Sequence, residues 1–345
     1  MSMAFMGTRV AGVVNPARRG GASRRGAARL ALAAALFALS SCASSVADMG
    51  ETATPIRVAH LAREDGDAGA LKTLSADFER RNPGYALDWH SDFREFEAGG
   101  QPVIGFVQAG SARVTVQRAG GGDVVSDPEL TVGDVLLLRP TERLTADSSI
   151  SVVFFTVPAA LPVGLPSFVR PDWDERITDT PGGCAEETGA YRRILLTWME
   201  TVGPYVYHAL NCHRVRITDS FAHYHPVEGG FDEFYLVQMA QPGAVLYTSE
   251  ATNRIEDPTS VSEGEAARMI DKHVLEVGDL VYLPRGTVHR GYGGVLAQII
   301  TVPGFRPGAE IGVDHYLRAI NENLGLTGEA ALPYREASST RAVVR

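Results

Sequence analysis

Residues 275–291 read LEVGDLVYLPRGTVHRG, and residues 130–146 read LTVGDVLLLRPTERLTA. Both stretches open with Leu-x-Val-Gly-Asp, continue into an apolar run and then reach a turn. Recurrence of one pattern in two parts of a chain indicates internal duplication. The two stretches therefore predict two copies of one folding unit, and not two unrelated domains.

Short β-type segments surround both stretches. Runs of Val, Ile and Phe bounded by Gly, Pro and Asp are typical of strands. They include PVIGFVQAG, ARVTVQRA and ISVVFFTVP up to residue 158, and YVYHALNCHRVRI, FYLVQMA, AVLYTS and VLAQIITVP from residue 205 onward. The predicted fold class is all-β with a few peripheral helices.

Helical patterns occupy the edges of the two units. AGALKTLSADFERRN, residues 68–82, precedes the first unit, and SVSEGEAARMIDKH, residues 260–273, interrupts the second. Within the second pattern, Ser260 and Glu263 have the spacing of a capping box, which predicts a helix start.

The sequence after the second unit ends in an amphipathic pattern. Tyr316, Ile320 and Leu324 fall at helical spacing. This pattern predicts a helix that packs against a barrel or against a second subunit, which makes a homo-oligomer an option. Residues from about Ala337 onward are predicted to fray.

The N-terminal segment has the composition of a targeting signal. Six arginines precede the first acidic residue, and LALAAALFALSSC then forms an apolar run that ends in small residues. Roughly 12 apolar residues are too few to span a bilayer, which takes about 20. Residues 1–41 are therefore predicted to be a signal peptide, and not a transmembrane helix.

The end of that run, LSSC, resembles the bacterial lipobox. The resemblance implies that Cys42 carries a lipid, that this lipid anchors the protein to a membrane, and that the protein belongs to the bacterial cell envelope. An ordinary signal peptide with an incidental cysteine is the alternative. SRRGAARL also faintly resembles a twin-arginine signal, so the export route stays open.

The charge of the remaining chain excludes one class of partner. Removing six arginines from 32 basic residues leaves 26 against 41 acidic ones, a formal charge of −15. Nucleic-acid binding needs a basic patch, so no nucleic-acid partner is expected. Cys184 and Cys212 allow one disulfide or two buried thiols, and the sequence does not distinguish between them.

These patterns predict the following organisation. The segments are a signal peptide with lipobox (1–41), an N-terminal extension (42–84), a first β-rich half (85–158), a Pro-rich linker or crossover (159–204), a second β-rich half (205–304), and a C-terminal helix and tail (305–345).

The candidate chemistry lies in FAHYHPVEGGFDEFYLV, residues 221–237. Residues two apart project to the same face of a strand, so His223 and His225 can point into one cavity. Glu233 and His289 are the natural residues to complete the pair. Three imidazoles and one carboxylate suit several divalent transition metals, among them Fe, Mn, Ni and Zn, so one such ion is the predicted cofactor.

Two motifs in the second half carry a family resemblance. HYHPVEGGFDEFYLV and GDLVYLPRGTVHRG resemble the signature motifs of the cupin superfamily, small β-barrels that usually hold a metal in the barrel mouth. In the second motif, Gly278, Pro284, Gly286 and His289 stand at the family's spacing. The resemblance implies a duplicated cupin, also described as a double-stranded β-helix or jelly-roll barrel.

The first motif departs from the family pattern. Ile217 stands where a glycine is expected, and seven residues separate His225 from Glu233 where three or four are usual. Glu228, in the loop PVEGG, is therefore an alternative carboxylate. Glu233 is preferred because DEFYLV resembles the start of a strand.

The first half resembles the fold without the metal site. Val103 stands where the motif's glutamate would fall, and Leu144 stands where its last histidine would fall. The resemblance thus implies a bicupin with one metal centre, in the half that spans 205–304.

Further residues near the motifs are candidates for catalysis. Tyr235 shares a strand face with Glu233 and could donate a hydrogen bond to a substrate, or it could simply fill the barrel. Arg290, Asp232 and Arg285 are acid–base candidates by proximity in the sequence alone. A final set of histidines is expected to be structural: His208, His213, His273 and His315.

Two functions from different classes are compatible with these features. The first is a metal-dependent enzyme, of dioxygenase, decarboxylase or isomerase type, acting on a small oxygen-rich substrate. The second is a non-catalytic lipoprotein that binds a small molecule or a metal. No motif selects a reaction, because fold analogy alone does not identify function.

Overall fold

Strands dominate the part of the chain that the computed structural model describes, residues 55–118, 124–185 and 191–345. The predicted signal peptide and Cys42 lie outside these residues. None of the helices within the described ranges is both long and apolar enough to cross a membrane.

The first sheet belongs to the first β-rich half. Its strands are β2 (Ala86–Glu97), β3 (Val103–Gly110), β4 (Ala112–Gln117), β5 (Val124–Leu130), β6 (Val135–Leu138), β7 (Arg143–Thr156) and β8 (Phe168–Val169). They are ordered β5-β4-β7-β3-β6-β8, and β2 pairs with the other edge of β7.

The second sheet combines the second half with a strand from the N-terminal extension. Its strands are β1 (Arg57–His60), β9 (Arg192–Leu196), β10 (Asn211–Asp219), β11 (His223–Tyr224), β12 (Asp232–Ala240), β13 (Val245–Ser249), β14 (Asp271–Val274), β15 (Asp279–Leu283), β16 (Val288–Val302) and β17 (Ile311–Gly312). The main order is β1-β15-β12-β16-β10-β9. The helices are α1 (Ala68–Arg81), α2 (Thr252–Ile255), α3 (Glu263–Ala266) and α4 (Asp314–Leu324).

The two sheets repeat one pattern of antiparallel pairing. The long strand β7 pairs with β2, β3 and β4, and the long strand β16 pairs correspondingly with β10, β12 and β13. On each long strand two partners follow one another along a single edge, so each sheet curls. The predicted all-β, duplicated fold class is confirmed.

The shared Leu-x-Val-Gly-Asp pattern makes the same turn twice. Gly133 and Gly278 have φ of +101° and +93°, a region that glycine adopts without strain. One residue later, Asp134 accepts a hydrogen bond from the Thr131 amide at 2.9 Å, and Asp279 accepts one from the Glu276 amide at 2.8 Å. The repeated letters therefore encode a turn that leads into β6 and β15.

Replacing Gly278 with alanine is expected to destabilise the fold by about 1–3 kcal/mol, because a side chain there has positive φ. Its Cβ would also lie 2.5 Å from the Ala62 Cβ and 2.8 Å from the Ala62 amide nitrogen. Urea unfolding of Gly278→Ala measures the loss. Gly264→Ala in α3 is the control, because its Cβ meets nothing within 4 Å. Equal unfolding midpoints for the two variants would contradict the prediction.

Helix α1, at the sequence pattern that predicts a helix, packs between the two sheets. Phe78 on α1 makes edge-to-face contacts with Phe155 of the first sheet at 5.8 Å and with Phe234 of the second at 5.0 Å. Phe155 and Phe234 also contact each other at 5.1 Å. The N-terminal extension thus supplies both an edge strand, β1, and part of the core that joins the halves.

Two buried glutamines add polar links between the halves. The Gln108 side chain on β3 donates to the Val237 carbonyl at 2.8 Å, and the Gln298 side chain on β16 donates to the Gly133 carbonyl at 2.8 Å. Buried amides keep such bonds because an unsatisfied polar group is costly away from water.

The structure corrects two local expectations. The capping box of α3 pairs Ser262 with Glu265, two residues after the predicted one, and the Ser262 amide donates to the Glu265 carboxylate at 2.9 Å. The prediction that the tail frays is wrong as well, because the Gly312 amide donates to the Val343 carbonyl at 2.8 Å. Helix α4 matches the amphipathic pattern and buries Ile320.

Candidate metal centre

Three histidines meet where short and long strands of the second sheet pair. His223 on β11 is the direct partner of His289 on β16. His225 follows two residues later, and its carbonyl accepts a hydrogen bond from the Gly286 amide at 2.7 Å. One ring nitrogen from each histidine lies within 4.8 Å of the other two. Among the residues described, this is the group with the spacing of a metal site.

Glu233 lies beside two of these histidines. It follows Asp232 at the start of β12, opposite Leu283 of β15 and Thr301 of β16. Its carboxylate oxygens are 3.4 Å from His289 Nε2 and 3.7 Å from His225 Nε2. Metal bonds of about 2.0–2.2 Å place neighbouring ligand atoms roughly 3 Å apart and opposite ones roughly 4.3 Å apart. The observed separations therefore fit ligands around one ion.

The alternative carboxylate, Glu228, is solvent-exposed in the loop between β11 and β12. That loop turns tightly: Gly229 has φ of +77°, and the Gly230 amide donates to the Pro226 carbonyl at 3.1 Å. A Cβ on Gly230 would lie 2.1 Å from that carbonyl. The two glycines therefore allow a tight turn that accommodates the long spacing between His225 and Glu233. Glu233, and not Glu228, contacts the histidines.

The three histidines and Glu233 each have a buried polar atom without a hydrogen-bond partner. The Nε2 atoms of the three histidines and Oε1 of Glu233 are buried and have no hydrogen-bond partner in the described part of the chain. Buried polar atoms in proteins are nearly always satisfied, so each such atom needs an explanation. A cation held by all four groups supplies one, so the residues present fit a metal ion.

Backbone carbonyls orient two of the rings. Nδ1 of His223 lies 3.1 Å from the Phe221 carbonyl, and Nδ1 of His289 lies 3.1 Å from the Thr287 carbonyl. A carbonyl only accepts, so each Nδ1 carries the proton and each Nε2 keeps its lone pair. Such bonds fix the tautomer and the ring orientation that metal ligation requires.

Burial favours the uncharged form of His223 and His225. Loss of solvation, and then the neighbouring His289, lower the pKa of His223 well below its ordinary value. The same two causes, with a further contribution from His223, lower the pKa of His225. Neutral imidazole is the form that binds metals.

Tyr235 and Arg290 take different positions around the histidines. Tyr235 is fully buried, and its ring lies edge-on to His289 with centroids 6.3 Å apart. The Arg290 guanidinium pairs with Asp219 and lies over the Tyr292 ring, 5.0 Å from its centroid. Tyr235 therefore lines the inside of the barrel, whereas Arg290 is held by partners outside the histidine cluster.

Asp232 and Arg285 form a structural ion pair. The Asp232 carboxylate accepts bonds from the Arg285 side chain at 2.8 Å, the Tyr282 hydroxyl at 2.7 Å and the Asn82 side chain at 2.6 Å. Successive strand residues face opposite sides, so Asp232 points away from the side that Glu233 occupies. Neither residue contacts the histidine cluster, and their assignment as acid–base candidates is not supported by position.

The other histidines have varied surroundings. His208 is exposed, His273 contacts the Thr248 hydroxyl at 3.0 Å, and His315 stacks on Tyr316 with centroids 3.9 Å apart. His213 is different, because it lines a small cavity that also reaches Glu233. The expectation that His213 has a purely structural role leaves out this proximity to the site.

The sequence patterns also missed Glu310, which lies just before β17. Its carboxylate is 3.8 Å from His223 Nε2 and is buried. Burial, and then the negative charge of Glu233, raise the pKa of Glu310 to about 7. The available signal was weak: a single acidic residue within the otherwise apolar stretch GAEIGV.

Cys212 and the described part of the first half contribute no metal ligand to this centre. The sequence allows Cys212 to be either a buried thiol or half of a disulfide. In the structure it is a buried free thiol. Val103 and Leu144 in the first half are buried in one apolar cluster.

Comparison with known proteins gives a short sequence match and more extensive structural matches. Residues 237–307 match the JmjC domain, a domain of the cupin superfamily, and this segment contains His289. No curated protein sequence matches the chain.

Similar solved structures include an oxalate decarboxylase studied for proton-coupled electron transfer, with 13% identity over 71% of this chain and 77% of that chain, and a TM-score of 0.42. Another is a Bacillus subtilis oxalate decarboxylase studied for its Mn(II) centres, with 12% identity over 76% of this chain and 81% of that chain, and a TM-score of 0.42.

Proposed function

We propose that this chain is a metal-dependent cupin enzyme that acts on a small oxygen-rich substrate, with chemistry of the dioxygenase or decarboxylase type. One observation carries the proposal: His223, His225 and His289 bring one ring nitrogen each within 4.8 Å of one another, and the Glu233 carboxylate lies within 4 Å of two of them. Four such groups at one point would be costly in the absence of a cation.

The ligand set narrows the cofactor to a class. His223, His225, His289 and Glu233 would hold one divalent transition metal, with Fe, Mn, Ni and Zn as the candidates. When bound, such an ion polarises an oxygen ligand or activates a small molecule at its open positions. The residues themselves supply neutral nitrogen donors and one carboxylate in a site from which bulk water is largely excluded.

The surroundings of Glu233 favour a small ligand. A cavity of about 20 Å³ borders it, which is room for about one water molecule. Arg192 and His213 line this cavity together with the carboxylates of Glu233 and Glu310. The Arg192 guanidinium could pair with a carboxylate or enolate oxygen of a ligand.

We further infer that the protein has one metal centre and is anchored to the cell envelope. Val103 and Leu144 cannot ligate a metal, which supports a first half that serves as scaffold. The lipobox resemblance around Cys42 supports lipid anchoring and therefore a place in the bacterial envelope.

One observation favours the second function, a lipoprotein that binds without turnover. The acid–base candidates Asp232, Arg285 and Arg290 are all held in ion pairs away from the histidines. Of the residues proposed for catalysis, this leaves Tyr235 beside the cluster.

Metal loading followed by a turnover screen tests the proposal. The full chain, purified in detergent, is stripped with a chelator and reloaded separately with Mn, Fe(II), Ni and Zn, and bound metal is measured by mass spectrometry. O₂ consumption and CO₂ release are then followed with small carboxylic acids, diketones and enediols. One equivalent of metal with turnover supports the enzyme. Metal without turnover supports the binding protein. Absence of any bound metal overturns the enzyme and leaves a barrel that binds a small molecule or serves as a scaffold.

A further inference from the structure

The carboxylate of Glu310 completes a regular arrangement around the histidines. Glu233 contacts His289 at 3.4 Å and His225 at 3.7 Å, and Glu310 contacts His223 at 3.8 Å. Each of the three imidazoles therefore has a carboxylate oxygen within 4 Å. Glu310 is 9% exposed, so it has left solvent almost completely.

Two buried carboxylates side by side imply a cation. Carboxylates rarely lose their solvation unless they are paired or coordinate a metal. A bound cation would keep both carboxylates ionised. Arg192 and Arg345 also act on Glu310 electrostatically, so the case for Glu310 as a ligand rests on its burial and on its distance from His223.

Glu310 is held in place by backbone pairing on both sides. The strand that follows it, β17, pairs with β11, so that Gly312 lies opposite His223. On its other side, the Glu310 amide donates to the Arg345 carbonyl and the Arg345 amide donates to the Glu310 carbonyl, both at 3.0 Å. Glu310 is thereby fixed between the strand that carries His223 and residues 343–345.

The same final segment also touches the histidine side. The Arg345 guanidinium lies 4.9 Å from the centre of the Phe221 ring, and Phe221 stacks on His223 with centroids 4.3 Å apart and an interplanar angle of 15°. Arg345 also donates to the Gly183 carbonyl at 3.2 Å. Residues 343–345 therefore support both members of the Glu310–His223 contact.

We propose that Glu310 is a fifth protein ligand of the metal centre and that residues 343–345 hold it against the ion. The inference rests on the proposed function, since it requires that the centre bind a metal. His223, His225, His289, Glu233 and Glu310 would then hold the ion together, and Glu310 would occupy a place that a substrate oxygen could otherwise take.

Titration of the metal-stripped full chain with MnCl₂ tests the proposal, with free Mn(II) followed by electron paramagnetic resonance. The variants are Glu310→Gln and a chain that ends at Ala342. Glu228→Gln is the matched control, because Glu228 is an exposed glutamate of the loop after His225. We expect Glu310→Gln and the shortened chain to bind Mn(II) at least about tenfold more weakly, and Glu228→Gln to bind as the parent does. Thermal melts of the metal-free proteins establish that each variant is folded.

Each result decides a different point. Equal affinity and an unchanged spectrum of bound Mn(II) in Glu310→Gln would show that Glu310 is not a ligand, while the proposed function would stand. Weak binding by Glu310→Gln combined with parental binding by the shortened chain would overturn the role of residues 343–345. A parent that binds none of Mn, Fe(II), Ni and Zn would overturn the proposed function together with this inference. Should the shortened chain fail to fold, Arg345→Ala replaces it in the same titration.

Discussion

The double variant His223→Ala, His289→Ala is expected to bind no divalent metal, whereas the parent binds one equivalent. The two rings are strand partners, and each turns a buried Nε2 without another partner toward the other ligands. Their removal leaves one imidazole, His225, and the carboxylates of Glu233 and Glu310, a set that should release a divalent ion during dialysis. Metal content after dialysis, measured by mass spectrometry, checks this result.

A change in thermal stability provides an independent measurement of the same effect. A ligand that binds only the native state stabilises it by about 2.7 kcal/mol at a concentration 100 times its Kd. Added MnCl₂ should therefore raise the melting temperature of the parent and leave that of the double variant unchanged. His273→Ala is the control, because His273 bonds to Thr248 outside the cluster. A melting temperature that rises equally in all three proteins would show that the ion binds elsewhere.

Asp232→Ala is expected to lower the free energy of unfolding by about 3–5 kcal/mol, more than Gly278→Ala does. Removing one partner of a buried ion pair leaves the other charge uncompensated. The Asp232 side chain is fully buried and accepts bonds from the Arg285 side chain and backbone, Tyr282 and Asn82. Asn82 immediately follows α1, so the same carboxylate ties that helix to β12 and β15. Alanine would remove an acceptor from each of these donors, and the Asn82 side chain would keep its other bond, to the Phe78 carbonyl at 3.1 Å.

Urea unfolding of the metal-free protein measures this loss without a contribution from bound ion. Asp88→Ala is the matched control: its side chain is 72% exposed and pairs with His90 on the same strand. Exposed ion pairs contribute about 0–1 kcal/mol, so this variant should unfold close to the parent. A loss for Asp232→Ala no larger than that for Asp88→Ala would mean that the buried network does not stabilise the fold.

Local patterns in the sequence are sufficient for much of the fold. Leu-x-Val-Gly-Asp recurs because one turn, with positive φ at glycine and a capping aspartate, is made twice. Strand alternation predicts the grouping of His223 with His225, and the two rings do meet although β11 ends at Tyr224, one residue before His225. The same alternation separates Asp232 from Glu233, so the opposite orientation of Asp232 could also have been inferred from the sequence.

Features that depend on distant pairing were not predictable in this way. Glu310 reaches His223 because β17 pairs with β11, and no local spacing encodes a contact between residues so far apart in the sequence. Residues 343–345 read Val-Val-Arg, too short a run to predict its partner, and Arg345 is paired by hydrogen bonds with the Glu310 backbone. The capping box was displaced by two residues because two serine–glutamate pairs compete in one short stretch.

The placement of β1 limits how far the two halves can be treated as modules. β1 comes from the beginning of the described chain, yet it pairs along the outer edge of β15 in the second half. A fragment limited to residues 205–304 would lack this strand and α1, and would expose both the β15 edge and the apolar surface around Phe234. Unprotected edges of this kind promote aggregation. During synthesis β1 would emerge long before β15 and stay unpaired until β15 is made, so the second sheet cannot be completed from the second half of the sequence alone.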